Sequence, residues 1–167
     1  MGSTVGSTVI VGLGNPVLAD DGVGLRIARE LRRRLEGRSG VATVELYAGG
    51  MWLTEAMAGH DRAILIDAIA GSGVAGAVYR LGLGDLRHTR IANSSHDASL
   101  PVALELGRAA GLRLPDEVQI WAVEAADVEA FSERLTPAVE RAVLQVVEGV
   151  LRDLDERGIV QPGRKSQ

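Results

Sequence analysis

The chain contains no cysteine. Disulfides, cysteine nucleophiles, thiolate metal sites and iron–sulfur clusters are therefore excluded. Aromatic residues make up 3% of the sequence, too few to build a stacking platform for single-stranded nucleic acid. A basic excess is also missing: the formal net charge is −4 and the pI about 5.4, which argues against non-specific binding to nucleic acid. No apolar run approaches the length of a membrane span, and the opening Met1-Gly2-Ser3-Thr4 is not a basic segment leading into an apolar one. No membrane partner and residence in the cytoplasm are the expectations. One local exception to the acidic balance is Arg32-Arg33-Arg34, with Arg29 and Arg38 close by, which reads as the solvated face of a helix.

What remains is an ordinary globular composition, 46% hydrophobic and 24% charged, in 167 residues. That length fits one domain over 1–167, with loose termini at about 1–6 and 159–167. Thr8-Val9-Ile10-Val11 is continuously apolar, the pattern of a parallel strand covered on both faces. Val23, Ile27, Leu31 and Leu35 stripe a helix over about 22–36. Strands are expected at 41–47, 63–66 and 118–123, and short or ordinary helices at 52–58 and 98–110. Residues 77–81, between glycine-rich turns, suggest a strand near a sheet edge. Thr136-Pro137 marks a helix start, with a hydroxyl cap and a proline at the first turn. Val139, Val143, Val147, Val150 and Leu154 then stripe a long last helix. This alternation implies an α/β fold: a three-layer α/β/α sandwich, phosphorylase/hydrolase-like, around a mostly parallel five-stranded sheet.

Open α/β sheets bind ligands in the crevice at the carboxyl ends of their strands. The first strand runs out at Gly12-Leu13-Gly14, and the loop beyond carries Asp20 and Asp21; the strand at 63–66 delivers Asp67. A loop over 83–97 holds His96. Two carboxylates and one imidazole suit a borderline divalent metal with open positions left for water or substrate. Such binding weakens as the histidine takes a proton. Each residue also has a plainer reading. Asp20 and Asp21 precede a helix, where aspartate caps and complements the dipole. His96, like His60 and His88, is unremarkable in isolation as a surface histidine. Gly12-x-Gly14 invites a dinucleotide reading, but the third glycine would fall at Val17.

The run Val11-Gly12-Leu13-Gly14-Asn15-Pro16-Val17-Leu18-Ala19-Asp20-Asp21-Gly22-Val23-Gly24 resembles the opening signature of the hydrogenase maturation endopeptidases. Gly49-Gly50, Ile66-Asp67-Ala68, Ser95-His96 and Leu135-Thr136-Pro137 match later features of that family in order. The resemblance implies that Asp21, Asp67 and His96 bind a metal and are the catalytic residues. It implies nickel, already carried by the substrate, with other divalent metals able to substitute. It further implies that the C-terminal extension of a [NiFe]-hydrogenase large-subunit precursor is removed after nickel insertion. With no Ser–His or Cys–His arrangement, water is the expected nucleophile. Ala48 departs from the family, whose members often carry an aspartate before the Gly-Gly turn. A non-catalytic nickel-recognition or chaperone module would use the same three ligands. The opening is also similar to peptidyl-tRNA hydrolases, but their early catalytic histidine has no counterpart before His60.

Overall fold

The computed structural model describes residues 6–71, 73–87 and 100–158. Five strands, β1 (Thr8–Leu13), β2 (Val41–Leu46), β3 (Arg62–Ile69), β4 (Val78–Gly82) and β5 (Glu117–Glu124), form one sheet in the order β2-β1-β3-β5-β4. All neighbours are parallel except β4, which runs antiparallel to β5 at the edge. Of the three strands flanked on both sides, β1 and β3 contain the unbroken apolar runs, while β5 is interrupted by Gln119. Every residue of β1 and β3 is buried, whereas β2 and β4, at the edges, are mostly half-buried.

Four helices cover the two faces: α1 (Val23–Arg34), α2 (Met51–Met57), α3 (Leu100–Ala109) and α4 (Pro137–Glu156). The stripe Val23, Ile27, Leu31 and Leu35 packs with Val139, Val143, Val147, Val150 and Leu154 against Ile10, Ile64 and Ile66. On the opposite face Leu53, Met57, Leu100 and Leu104 meet Val9, Val11 and Leu65. The α/β/α layering, the mostly parallel sheet and the edge position of β4 follow the sequence reading. Elements run within a residue or two of their expected bounds except β3, which continues three residues past Ile66 so that Asp67 lies within the strand rather than after it; Ala98 and Ser99, expected to begin α3, lie outside the described residues. So do the termini expected to be loose, apart from Gly6.

The arginine run on α1 is indeed a solvated face, and its charges are paired. Arg33 and Arg34 bind Glu30, Arg29 and Arg32 bind Glu45, and Arg34 also reaches Glu148. The two guanidinium groups, Arg33 foremost, hold the Glu30 carboxyl down at about 2. No helix among the described residues is long and apolar enough to cross a membrane.

Candidate active site

The first turn of α1 is pressed onto the ends of β1 and β3. A Cβ on Gly24 would stand 2.3 Å from the carbonyl oxygens of both Leu13 and Ile66, so only glycine admits this approach. Gly14 has φ +150°, and a Cβ there would meet the Asp21 carbonyl oxygen at 1.9 Å. The glycines of the opening signature thus let the 14–22 loop fold back on itself, with Asp21 lying over the end of β1.

Register brings the second carboxylate to the same place. β1 and β3 pair Gly12 with Ile66, so Asp67 stands one residue further along, level with Leu13. Asp67 is 1% exposed, and its Oδ1 accepts the N–H of Ala68 at 2.8 Å. Asp21 is half-buried; its Oδ2 accepts the N–H of Asn15 at 2.9 Å, and its Oδ1 takes no hydrogen bond among the described residues. Asp21 and Asp67 therefore share the carboxyl end of the sheet, each oriented by a main-chain donor. His96 and His88 lie outside the described residues. His60 precedes β3, at the opposite end of the sheet from this crevice. No group of three or more histidine or carboxylate side chains gathers to hold a metal among the described residues.

Asp20 departs from the capping expectation. Neither it nor Asp21 caps α1, whose N-cap is Gly22 without a side-chain bond. Asp20 is wholly buried and turned the other way, into the loop between β5 and α4. Its Oδ2 accepts the N–H groups of Ala126 at 2.9 Å and Asp127 at 3.0 Å, and the hydroxyl of Thr136 at 2.8 Å. Its Oδ1 accepts the Thr136 N–H at 2.7 Å. The Thr136 hydroxyl consequently makes no cap bond to α4, although Thr136 does hold the N-cap position and Pro137 the first turn. Main-chain bonds reinforce the junction: Asp20 N–H to Asp127 O at 2.9 Å, Ala19 N–H to Ser132 O at 2.8 Å, and Ser132 N–H to Val17 O at 3.0 Å. Ala19, directly before the acidic pair, has φ +43°, a left-handed conformation that alanine adopts only when its surroundings impose it. The loop carrying Asp21 is thereby clamped to the loop before α4.

A fourth carboxylate escaped the sequence reading. Glu124 ends β5, is 3% exposed, and accepts the Gly71 N–H at 2.7 Å through Oε1. The available signal was the one that marked Asp67, an acid at the end of an apolar run. Asp127, nearby, is held below the usual carboxylate range by the N–H groups of Ala130 and Glu129. Ala48, where the family often has an acid, is exposed just before the Gly49-Gly50 turn.

In an α/β sheet of this kind the carboxyl ends of the strands are where ligands bind, and carboxylates stand there in this chain. The family model described as HycI, hydrogenase maturation protease, matches residues 25–153, and the chain belongs to that family. That match includes Asp67 and begins just after Asp21. Among solved structures, the chain resembles the hydrogenase maturating endopeptidase HybD from Escherichia coli, with 28% identity and a TM-score of 0.74, covering 93% of this chain and 95% of that one. It also resembles the solution structure of an endopeptidase from Escherichia coli, at 27% identity and TM-score 0.71, covering 96% of this chain and 99% of that one. The fold is shared as well with the [NiFe] hydrogenase maturation protease HybD from Thermococcus kodakarensis, at 22% identity and TM-score 0.68 over 87% and 97%. No curated protein matches the chain.

Proposed function

We propose that this protease removes the C-terminal extension of a [NiFe]-hydrogenase large-subunit precursor after nickel insertion, working through Asp21, Asp67 and His96. The observation that supports the reading is that the loop of Asp21 and the Asp67 stretch of β3 lie towards the same end of the sheet in a member of this protease family. The donor chemistry fits a nickel ion borne by the substrate: Asp21 offers an oxygen with no described hydrogen bond, Asp67 a second carboxylate, and His96 an imidazole nitrogen. When bound, nickel supplies positive charge that polarises a carbonyl or activates water.

The protein's own groups do the rest. The N–H groups of Asn15 and Ala68 fix the two carboxylates, so little ordering entropy is lost when the precursor arrives. Asp20 holds the loop of Asp21 from behind and acts as a positioning residue. Water is the nucleophile in this reading, the chain having no cysteine to serve as one.

The test is incubation of nickel-loaded precursor with the protein, followed by intact-mass measurement. Loss of a C-terminal peptide, absent with nickel-free precursor, is the expected result. Tight binding without release would replace this reading with that of a recognition module.

A further inference from the structure

The exposed apolar side chains are distributed unevenly. Of nine large apolar side chains exposed among the described residues, six, Val17, Tyr47, Met51, Trp52, Val74 and Phe131, follow the carboxyl end of a strand, β1, β2, β3 or β5, while Val102 and Leu106 lie on α3 and Leu144 on α4. Val74 belongs to this end because β4 runs antiparallel and begins beside Val123 of β5. The chain has five aromatic residues, and three of them are here, with Tyr47 61%, Trp52 65% and Phe131 89% exposed. Aromatic side chains left in water on a helix and two loops at one end of a sheet are the composition of an interface centre, not of a solvated surface.

The exposed charge on this end is mostly acidic and sits on one loop. Of the seven carboxylates in residues 14–22, 67–77 and 124–136, Asp20, Asp67 and Glu124 are buried; Glu129 and Glu133 are exposed and Asp21 and Asp127 half-buried, against one guanidinium, Arg134. A face that is both apolar and acidic repels a second copy of itself and an anionic membrane alike. It complements a protein surface bearing apolar side chains flanked by lysine or arginine.

We propose that this rim docks the folded body of the precursor, through an apolar and basic patch beside its C-terminal extension. Trp52, Phe131 and Tyr47 are the anchors, and the exposed acids of the loop between β5 and α4 supply the steering charge. The inference rests on the function proposed above and adds to it where the substrate is gripped. Residues that hold the precursor's body bind it before and after the cut alike, so they set KM and leave the bond-breaking step alone.

The test measures the affinity of nickel-loaded precursor for wild type, Trp52→Ser, Phe131→Ser, Glu133→Lys and Leu144→Ser, with processing kinetics in parallel. Leu144 is an exposed apolar residue of α4, away from the rim, and serves as the control. Trp52→Ser and Phe131→Ser each weaken binding about tenfold or more, raising KM with kcat retained. Glu133→Lys weakens it by a smaller factor, and added salt reduces wild-type affinity. Leu144→Ser changes nothing. Because these side chains are exposed, thermal midpoints stay at the wild-type value. Unchanged affinity in both aromatic variants overturns the proposal, as does a wild-type dimer that Trp52→Ser dissociates. A wild-type protein that leaves the precursor uncut sinks the functional reading instead, so the two failures are distinct.

Discussion

At the amino ends of β3 and β5, buried charge is paired with buried charge. Arg62 Nη2 lies 2.7 Å from Asp153 Oδ2, both side chains less than a tenth exposed. Arg62 Nε also binds Glu117 at 3.0 Å, Arg80 joins Asp153 while stacking 5.3 Å from the Trp121 ring centre, and Arg157 reaches Glu117 at 2.9 Å. At the carboxyl ends the arrangement is different. Asp20, Asp21 and Glu124 are bound by main-chain N–H groups and one hydroxyl, and none pairs with an arginine among the described residues. An ion pair cancels its own field and has nothing left for a ligand. A carboxylate held by N–H dipoles is fixed in place without a cation beside it. One end carries paired charge that holds the fold together; the other carries the carboxylates to which the proposed function assigns a cation.

The largest effect expected from breaking this contrast is on processing. Asp21→Asn, Asp67→Asn and His96→Ala each reduce precursor cleavage below about a thousandth of wild type, with the circular dichroism of the fold retained. A variant of any one of the three that cleaves at full rate removes that residue from the site. At the other end, Asp153→Ala leaves buried Arg62 with the half-exposed Glu117 as its remaining carboxylate partner and lowers stability by about 2 kcal/mol, less than for a wholly unpaired buried charge. Denaturant titration reads that loss, while activity below the transition persists. Replacing both partners, Arg62→Met with Asp153→Leu, recovers most of it, and a recovery of nothing would show that the pair itself is not the source.

Asp20 tests the junction between the two kinds of region, because it is a buried carboxylate whose role is positional. Asp20→Ala leaves buried N–H groups without acceptors and costs about 2–4 kcal/mol. It also lowers processing by roughly 10–100-fold, as expected of a group that orients a ligand. Asp20→Asn retains one acceptor oxygen and restores part of both. Equal activity in wild type and Asp20→Ala would detach the clamp from the chemistry.

The smallest effect compares two depressed carboxyls. Glu30 is held down by Arg33 and Arg34, Asp127 by the N–H groups of Ala130 and Glu129. Both folded-state values lie below the unfolded ones. Their contribution to stability is therefore present above the unfolded pKa and lost as pH falls through the folded one, for Glu30 between 4.5 and about 2. Salt screens guanidinium charge more than a fixed hydrogen bond. In an NMR titration at high salt, Glu30 moves back towards its ordinary value while Asp127 stays low; parallel movement of both would erase the distinction.

The fold was legible wherever it is written in short periods. Unbroken apolar runs gave β1 and β3, four-residue stripes gave α1 and α4, and Pro137 gave the start of α4. The carboxyl-end rule then placed Asp21 and Asp67 at one end. What stayed hidden is set by pairings distant along the chain. Asp20 bonds residues more than a hundred positions away, so local pattern offered only a helix cap. Thr136 was read as a cap from its neighbour Pro137, yet its hydroxyl serves Asp20. Arg62 and Asp153 look like ordinary surface charges until β3 and α4 are packed together.

Equilibrium dialysis against nickel probes the contrast most directly, using wild type, Asp21→Asn and Asp153→Asn protein under conditions where all three are folded. Wild type and Asp153→Asn should retain the ion equally, and Asp21→Asn should lose it. Retention by Asp21→Asn at the wild-type level would contradict the assignment of the cation to the carboxyl end of the sheet.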